Sequence, residues 1–76
     1  PSITLNKSTN ILDVLVELGV CPSKSNARTL VQSKSISING QLIEDINFNV
    51  DKENSIDNKF SYIKKGKKNY FLINWN

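Results

Sequence analysis

Lys24 and Arg28 stand four residues apart in the stretch PSKSNARTLVQS, with Gln32 four further on and Lys34 just beyond. On a helix that spacing stacks Lys24, Arg28 and Gln32 in one row. Like charges so placed repel by roughly a few tenths of a kcal/mol unless an anion lies between them. Ser23, Ser25 and the open backbone amides of the first turn add neutral donors where the helix dipole is positive. An arginine fork beside a lysine point charge suits phosphate groups along a chain. A second cluster lies in KKGKKNYFLINW, where Lys64, Lys65, Lys67 and Lys68 surround Gly66 and an aromatic-aliphatic run follows. The candidate contacts to an anionic partner are therefore Ser23, Lys24, Ser25, Arg28, Gln32 and Lys34 on the helix, and the four lysines of the second cluster.

Charge segregation supports that reading. Five of the seven carboxylates (Glu44, Asp45, Asp51, Glu53 and Asp57) fall between 44 and 57, and most of the ten cations lie outside that block. The net charge is only +3, but its distribution predicts a basic face, for which a polyanion is the usual partner. Catalysis finds no comparable constellation. There is no histidine, so the commonest general base is missing, and the acids between 44 and 57 read as a solvated surface. Asn39-Gly40 is a hairpin signal, not half of a nucleotide-binding loop. The single cysteine, Cys21, allows no internal disulfide and, without histidine, no Cys/His zinc site; it reads as a structural thiol. No catalytic residue, metal site or cofactor is expected in this chain, and neither a membrane span nor a secretion signal is visible in it.

Seventy-six residues predict one small domain, close to the size at which a single core only just sustains folding. The absence of methionine and the start on Pro1 suggest a trimmed product or a piece of a longer protein. In STNILDVLVELGV, Asn10 is a helix cap, Ile11, Val14, Leu15 and Leu18 form the inward stripe, and Gly19 is the stop. A second helix follows, capped by Ser23, with Ala27, Leu30 and Val31 turned inward; the short turn between them makes a helical hairpin. The period then changes to two. In SISINGQLIED the Asn39-Gly40 turn pairs 38 with 41 and 36 with 43, placing Ile36, Ile38 and Ile43 toward the helices. Residues 44 to 59 read as a long polar connection anchored by Phe48, Val50 and Ile56. A second hairpin, with strands 60–64 and 69–75 and Gly66 in its turn, closes the fold. Its aromatics (Phe60, Tyr62, Tyr70, Phe71 and Trp75) are assigned to the core, because so small a domain needs its large side chains inside. The expected class is α+β: a two-helix hairpin packed on a small antiparallel sheet, over residues 10–76, after a linker over 1–9.

Two motifs resemble known proteins. PSKSNARTLVQSKSISINGQLIED is similar to the core of the S-four RNA-binding fold, also called the αL RNA-binding motif. There a serine and a base are followed by Ala-Arg, an aliphatic pair, a tight turn and a strand ending in Asn-Gly; here these are Ser23, Lys24, Ala27-Arg28, Leu30-Val31, Ser33-Lys34 and Ile36 to Gly40. GKKNYFLINW, Gly66 to Trp75, resembles the end of the C-terminal domain of bacterial tyrosyl-tRNA synthetases. Together the two cover Ile11 to Trp75. The chain departs from the pattern in two places. Ser33-Lys34-Ser35 stands where many relatives have a glycine, and Asn26 stands where many have a glutamate that completes a capping box with Ser23. Both put helix stability and turn geometry in doubt rather than the basic row.

The resemblance implies a cytoplasmic module that grips tyrosine tRNA at the long variable arm and the anticodon-stem side, and so positions it. Activation of tyrosine, with ATP and Mg, would belong to a catalytic domain elsewhere in a homodimeric parent ligase. Two other readings stay open. One is the RNA-binding domain of another S-four protein, such as a pseudouridine synthase or a ribosome-associated protein; the other is a protein-interaction module. The lysine tip likewise stays open between RNA contact and a solubilising, edge-protecting turn.

Overall fold

The computed structural model describes residues 2–76. Two helices, α1 (Ile11–Glu17) and α2 (Lys24–Gln32), follow the first two strands and precede the other five. In chain order the strands are β1 (Ser2–Leu5), β2 (Thr9–Asn10), β3 (Ile36–Ile38), β4 (Gln41–Leu42), β5 (Asn49–Val50), β6 (Phe60–Lys65) and β7 (Asn69–Trp75). A single 3-10 turn, Lys52–Asn54, follows β5. The main sheet has the order β1-β7-β6-β3-β4, and β2 pairs with β5 in a separate two-stranded ribbon.

Both helices start and stop where side-chain chemistry dictates. Asn10 caps α1, its Oδ1 accepting the Leu12 N–H at 3.0 Å. The other end of the same amide, Nδ2, donates to the Ile46 carbonyl at 3.1 Å, so the cap also fastens the connection to the helix. Gly19 adopts φ +77° and ends α1 in a Schellman turn, with Val20 N–H donating to Leu15 O and Gly19 N–H to Val16 O. Helix α2 ends in the same way, Ser35 N–H to Leu30 O and Lys34 N–H to Val31 O. There the left-handed residue is Lys34, at φ +63°. The missing glycine has therefore not changed the turn; a lysine has taken the conformation glycine would adopt more readily.

The expected Asn39-Gly40 hairpin is present, with φ +50° and +87° at the two turn residues, Ile38 opposite Gln41, and Ile43 N–H donating to Ile36 O. Ile36, Ile38 and Ile43 are buried, as their register requires. Asn39 also does more than turn the chain. Its N–H donates to the Tyr62 carbonyl and its Oδ1 accepts the Tyr62 N–H, each at 2.9 Å, so one residue continues the β3–β6 ladder past the end of β3. Its Nδ2 donates to Asn54 O at 2.9 Å and draws in the connection.

Four expectations need correction. The sheet is mixed, because β1 runs parallel to β7, with Ile3 opposite Ile73 and Leu5 opposite Trp75. The remainder of the domain serves as the long crossover that a parallel pair needs. Residues 2–5 of the expected 1–9 linker are thus an edge strand, with Leu5 in the core; Pro1 lies outside the described residues. The connection over 44–59 is structured by β5, the 3-10 turn and a tight turn at Asp57-Asn58, both residues at φ +56°. Val50 anchors it in the core, but Ile56 is exposed.

The fourth correction concerns the aromatics. Strand alternation sends Ser61, Ile63, Phe71, Ile73 and Trp75 toward the helices, and Tyr62, Lys64, Tyr70 and Leu72 the other way. Trp75 is buried and donates its indole N–H to the buried Ser61 hydroxyl at 3.0 Å, which satisfies both polar groups. Phe71 packs at the core margin. Tyr70, by contrast, is 56% exposed, and Tyr62 and Phe60 are only half-buried. Two helices of seven and nine residues cover one face of the sheet and leave the other bare.

Asn39→Ala is expected to destabilise the domain by about 2–3 kcal/mol in urea unfolding, since it orphans the Tyr62 N–H and removes a residue type that tolerates positive φ. Asn39→Asp, which keeps the acceptor, should cost distinctly less.

Candidate nucleic-acid interface

Helix α2 presents its basic row to solvent while Ala27 and Val31 pin its other side in the core. Lys24, Arg28, Gln32 and, in the turn beyond, Lys34 are all exposed. Their surroundings differ. Lys24 Nζ lies 2.8 Å from Asp13 Oδ1 on α1, an exposed ion pair that the spacing within α2 could not reveal. Screened pairs of this kind add little stability, but they neutralise a charge at close range. The anion expected between Lys24 and Arg28 is thus in part supplied by the protein itself.

The first turn of α2 is similarly modified. Ser23 Oγ accepts the Asn26 N–H at 3.3 Å and donates to Asn26 Oδ1 at 2.6 Å. Asn26 therefore does not reach back to the Ser23 backbone as a capping-box glutamate would; it takes the hydroxyl proton instead. Ser23 is committed to its own cap and is a poor donor to an external anion. Ser25 is exposed, and its carbonyl accepts the Thr29 hydroxyl at 3.2 Å.

The four lysines of the second cluster divide by strand alternation. Lys65 leans toward the helices, where its ammonium donates to the Val20 carbonyl at 3.4 Å in the loop leading into α2. Lys64 points to the bare face, with Nζ 5.6 Å from the centre of the Tyr70 ring. Lys67 and Lys68 are exposed in the turn between β6 and β7. That turn is no loose tip. Gly66 N–H donates to Ser35 O at 3.0 Å, in the corner just after α2. The end of the second hairpin is thus tied to the loop before α2 through Lys65 and to the corner after it through Gly66, and the two basic clusters belong to one rigid unit.

This geometry offers an anion several exposed donors. Exposed cations stand on a capped helix and a braced hairpin, and among the described residues no group of three or more Cys, Asp or Glu side chains is arranged to hold a metal. Cys21 is a buried residue of the α1–α2 loop, its thiol donating to Ser23 O at 3.6 Å. Burial pushes its thiol pKa up, against smaller downward pulls from the Ser23 hydrogen bond and the Lys65 charge. Burial and the raised pKa both favour the neutral thiol as a packing group. No helix among the described residues is long and apolar enough to cross a membrane.

Comparison with known proteins settles the family. The family described as "Tyrosine–tRNA ligase SYY-like C-terminal domain" matches residues 1–73. This chain belongs to that family. A structure described as the "Solution structure of tyrosyl-tRNA synthetase C-terminal domain" is similar over 100% of this chain and 78% of its own, at 31% identity and a TM-score of 0.80. The α+β, S-four-like architecture of the tyrosine–tRNA ligase C-terminal domain accordingly holds for this chain, including the edge strand β1, which lies within the matched residues.

Within this family fold, Lys34 can be tested directly. A lysine at φ +63° carries a conformational cost that glycine avoids, partly offset by the greater freedom of glycine in the unfolded chain. Lys34→Gly is expected to raise unfolding free energy by about 0.5–1 kcal/mol, read as a shift in urea midpoint at unchanged slope.

Proposed function

We propose that this domain grips tyrosine tRNA, chiefly at the long variable arm and the anticodon-stem side, and so positions the tRNA for aminoacylation. The catalytic domain would lie elsewhere in a cytoplasmic, bacterial-type, homodimeric ligase. Family membership supports the reading, and one structural observation carries it: the exposed α2 row of Lys24, Arg28 and Gln32, braced at both ends against a second basic cluster. ATP with Mg would serve the catalytic domain; the role assigned to this chain is binding alone.

The contacts follow from the side chains. Arg28, exposed and offering a two-pronged donor, is the principal phosphate ligand. Lys34, Lys67 and Lys68 add point charges, while Ser25 and Gln32 contribute neutral donors along the helix. Lys24 joins once a phosphate displaces Asp13. Ser23 and Lys65 act through the cap and the brace, and Lys64 belongs to both the tip and the bare sheet face. Recognition of arm shape rather than base sequence is expected, because an A-form duplex hides its base edges in a deep, narrow groove.

The test is binding of the 76-residue domain to tyrosine tRNA, and to the same tRNA with its variable arm cut back, at several salt concentrations. Intact tRNA should bind more tightly. The logarithm of affinity should fall with the logarithm of salt by about 0.7–0.9 per phosphate contacted. The double variant Lys24→Ala with Arg28→Ala should lower that slope by about two and remove the preference for the intact arm. Equal binding of both RNAs, or a double variant as tight as wild type, would sink the proposal and leave the row a solvated face. Asp13→Asn should tighten binding by about two- to fivefold, because it releases Lys24 at little cost in stability.

A further inference from the structure

The bare face of the sheet carries a composition that neither solubility nor the helix row accounts for. Tyr62 sits opposite Leu72, and Lys64 sits opposite Tyr70 on β7 and Ser37 on β3, which in turn faces Leu42. These side chains share one surface, in which Tyr70 is 56% exposed, Leu42 43% and Leu72 38%. The two tyrosine rings are 6.2 Å apart at 50°, and the Lys64 ammonium stands over Tyr70. The remaining residues in register on this face are Ser2, Thr4 and Asn74 around the half-buried Phe60, so none of them is a carboxylate. The turn bearing Lys67 and Lys68 adjoins Tyr70 directly.

The geometry points to this face as a second RNA-contact surface, on which an unpaired nucleotide of the bound RNA stacks its base on Tyr70 and sets its phosphate against Lys64. The inference rests on the tRNA-binding reading above but concerns a different surface and a different part of the ligand. Charge decides between occupants. An apolar protein surface laid on this patch would bury the Lys64 ammonium without an acid in register to pair it, which is costly. A nucleotide supplies the two things the patch lacks: a phosphate for the cation and a flat ring for an exposed aromatic. Duplex offers no free base, so the platform acts only on loops or extruded nucleotides. Helix α2 would thus hold the duplex by its backbone, while the tyrosine face holds what is unpaired.

The test compares a stem-loop RNA carrying an unpaired loop with the same stem as a blunt duplex. Tyr70→Thr keeps a good strand former and should leave the thermal midpoint near wild type. It should weaken stem-loop binding about tenfold and leave the blunt duplex unchanged. Tyr70→Phe should bind both as wild type does. Arg28→Ala should weaken both RNAs, which reads the helix row independently. If Tyr70→Thr binds both RNAs like wild type while Arg28→Ala weakens both, the platform is overturned and the tRNA-binding reading survives, with a protein partner the better occupant. Equal loss on both RNAs also overturns it. A loop-specific loss at Tyr70 with no effect of Arg28→Ala keeps the platform and removes the helix row. A second readout needs no variant: 5-bromouridine in the loop should photocrosslink to Tyr70 or Tyr62 in the wild-type domain, and crosslinks confined to α2 would overturn the assignment.

Discussion

One-sidedness governs this domain. Two short helices can cover one face of a five-stranded sheet and no more, so every residue of β6 and β7 is assigned by parity either to the face under the helices or to the uncovered one. Ser61, Ile63, Ile73 and Trp75 take the inner places, and the one hydroxyl among them is satisfied by the Trp75 indole. The same parity carries Tyr62, Lys64, Tyr70 and Leu72 outward. It also parts Lys64 from its neighbour Lys65, so that one lysine stands over a tyrosine ring and the other braces the loop before α2. A slip of one residue in register would exchange these sets, turning Lys64 inward and exposing the isoleucines, and that penalty keeps the register unique.

Asn39 is where the one-sided sheet is joined to the rest of the chain. Its backbone and side chain both pair with Tyr62, and its remaining amide proton donor reaches the connection at Asn54. Asn10 works the same way at the other end of that connection, capping α1 with one atom and holding Ile46 with another. Two asparagines thereby order a polar segment that has few apolar anchors of its own. An amide can do this because it offers acceptor and donor at once; aspartate or serine would leave one side unmet.

Local signals carried much of this fold in the sequence. Asn10, Gly19, Ser23 and Asn39-Gly40 each act within a few residues, and each is found where turn and cap chemistry places it. Strand β1 was not legible, because four residues carry no period and their partner lies about seventy positions away, beyond any local signal. The outward tyrosines escape the sequence for a related reason: composition says that a small domain needs large side chains inside, but only the pairing register says which ones are. On the candidate site, the helix row was readable from the i, i+4 spacing. Asp13 was not, since its reach to Lys24 depends on how α1 crosses α2. Alternation separates Lys64 from Lys65 because β6 runs on to Lys65, one residue beyond the expected strand end.

The cations are therefore not equivalent, although composition counts them alike. Lys24 is held by a carboxylate, Lys65 by a carbonyl and Lys64 by a ring, whereas Arg28, Lys67 and Lys68 are exposed without such ties among the described residues. Lys34 is the most telling. It occupies a left-handed position at which glycine would be more stable, at the corner where the end of the second hairpin meets α2. The net of +3 thus hides an uneven distribution of free and tethered charge over this small sheet and its two helices.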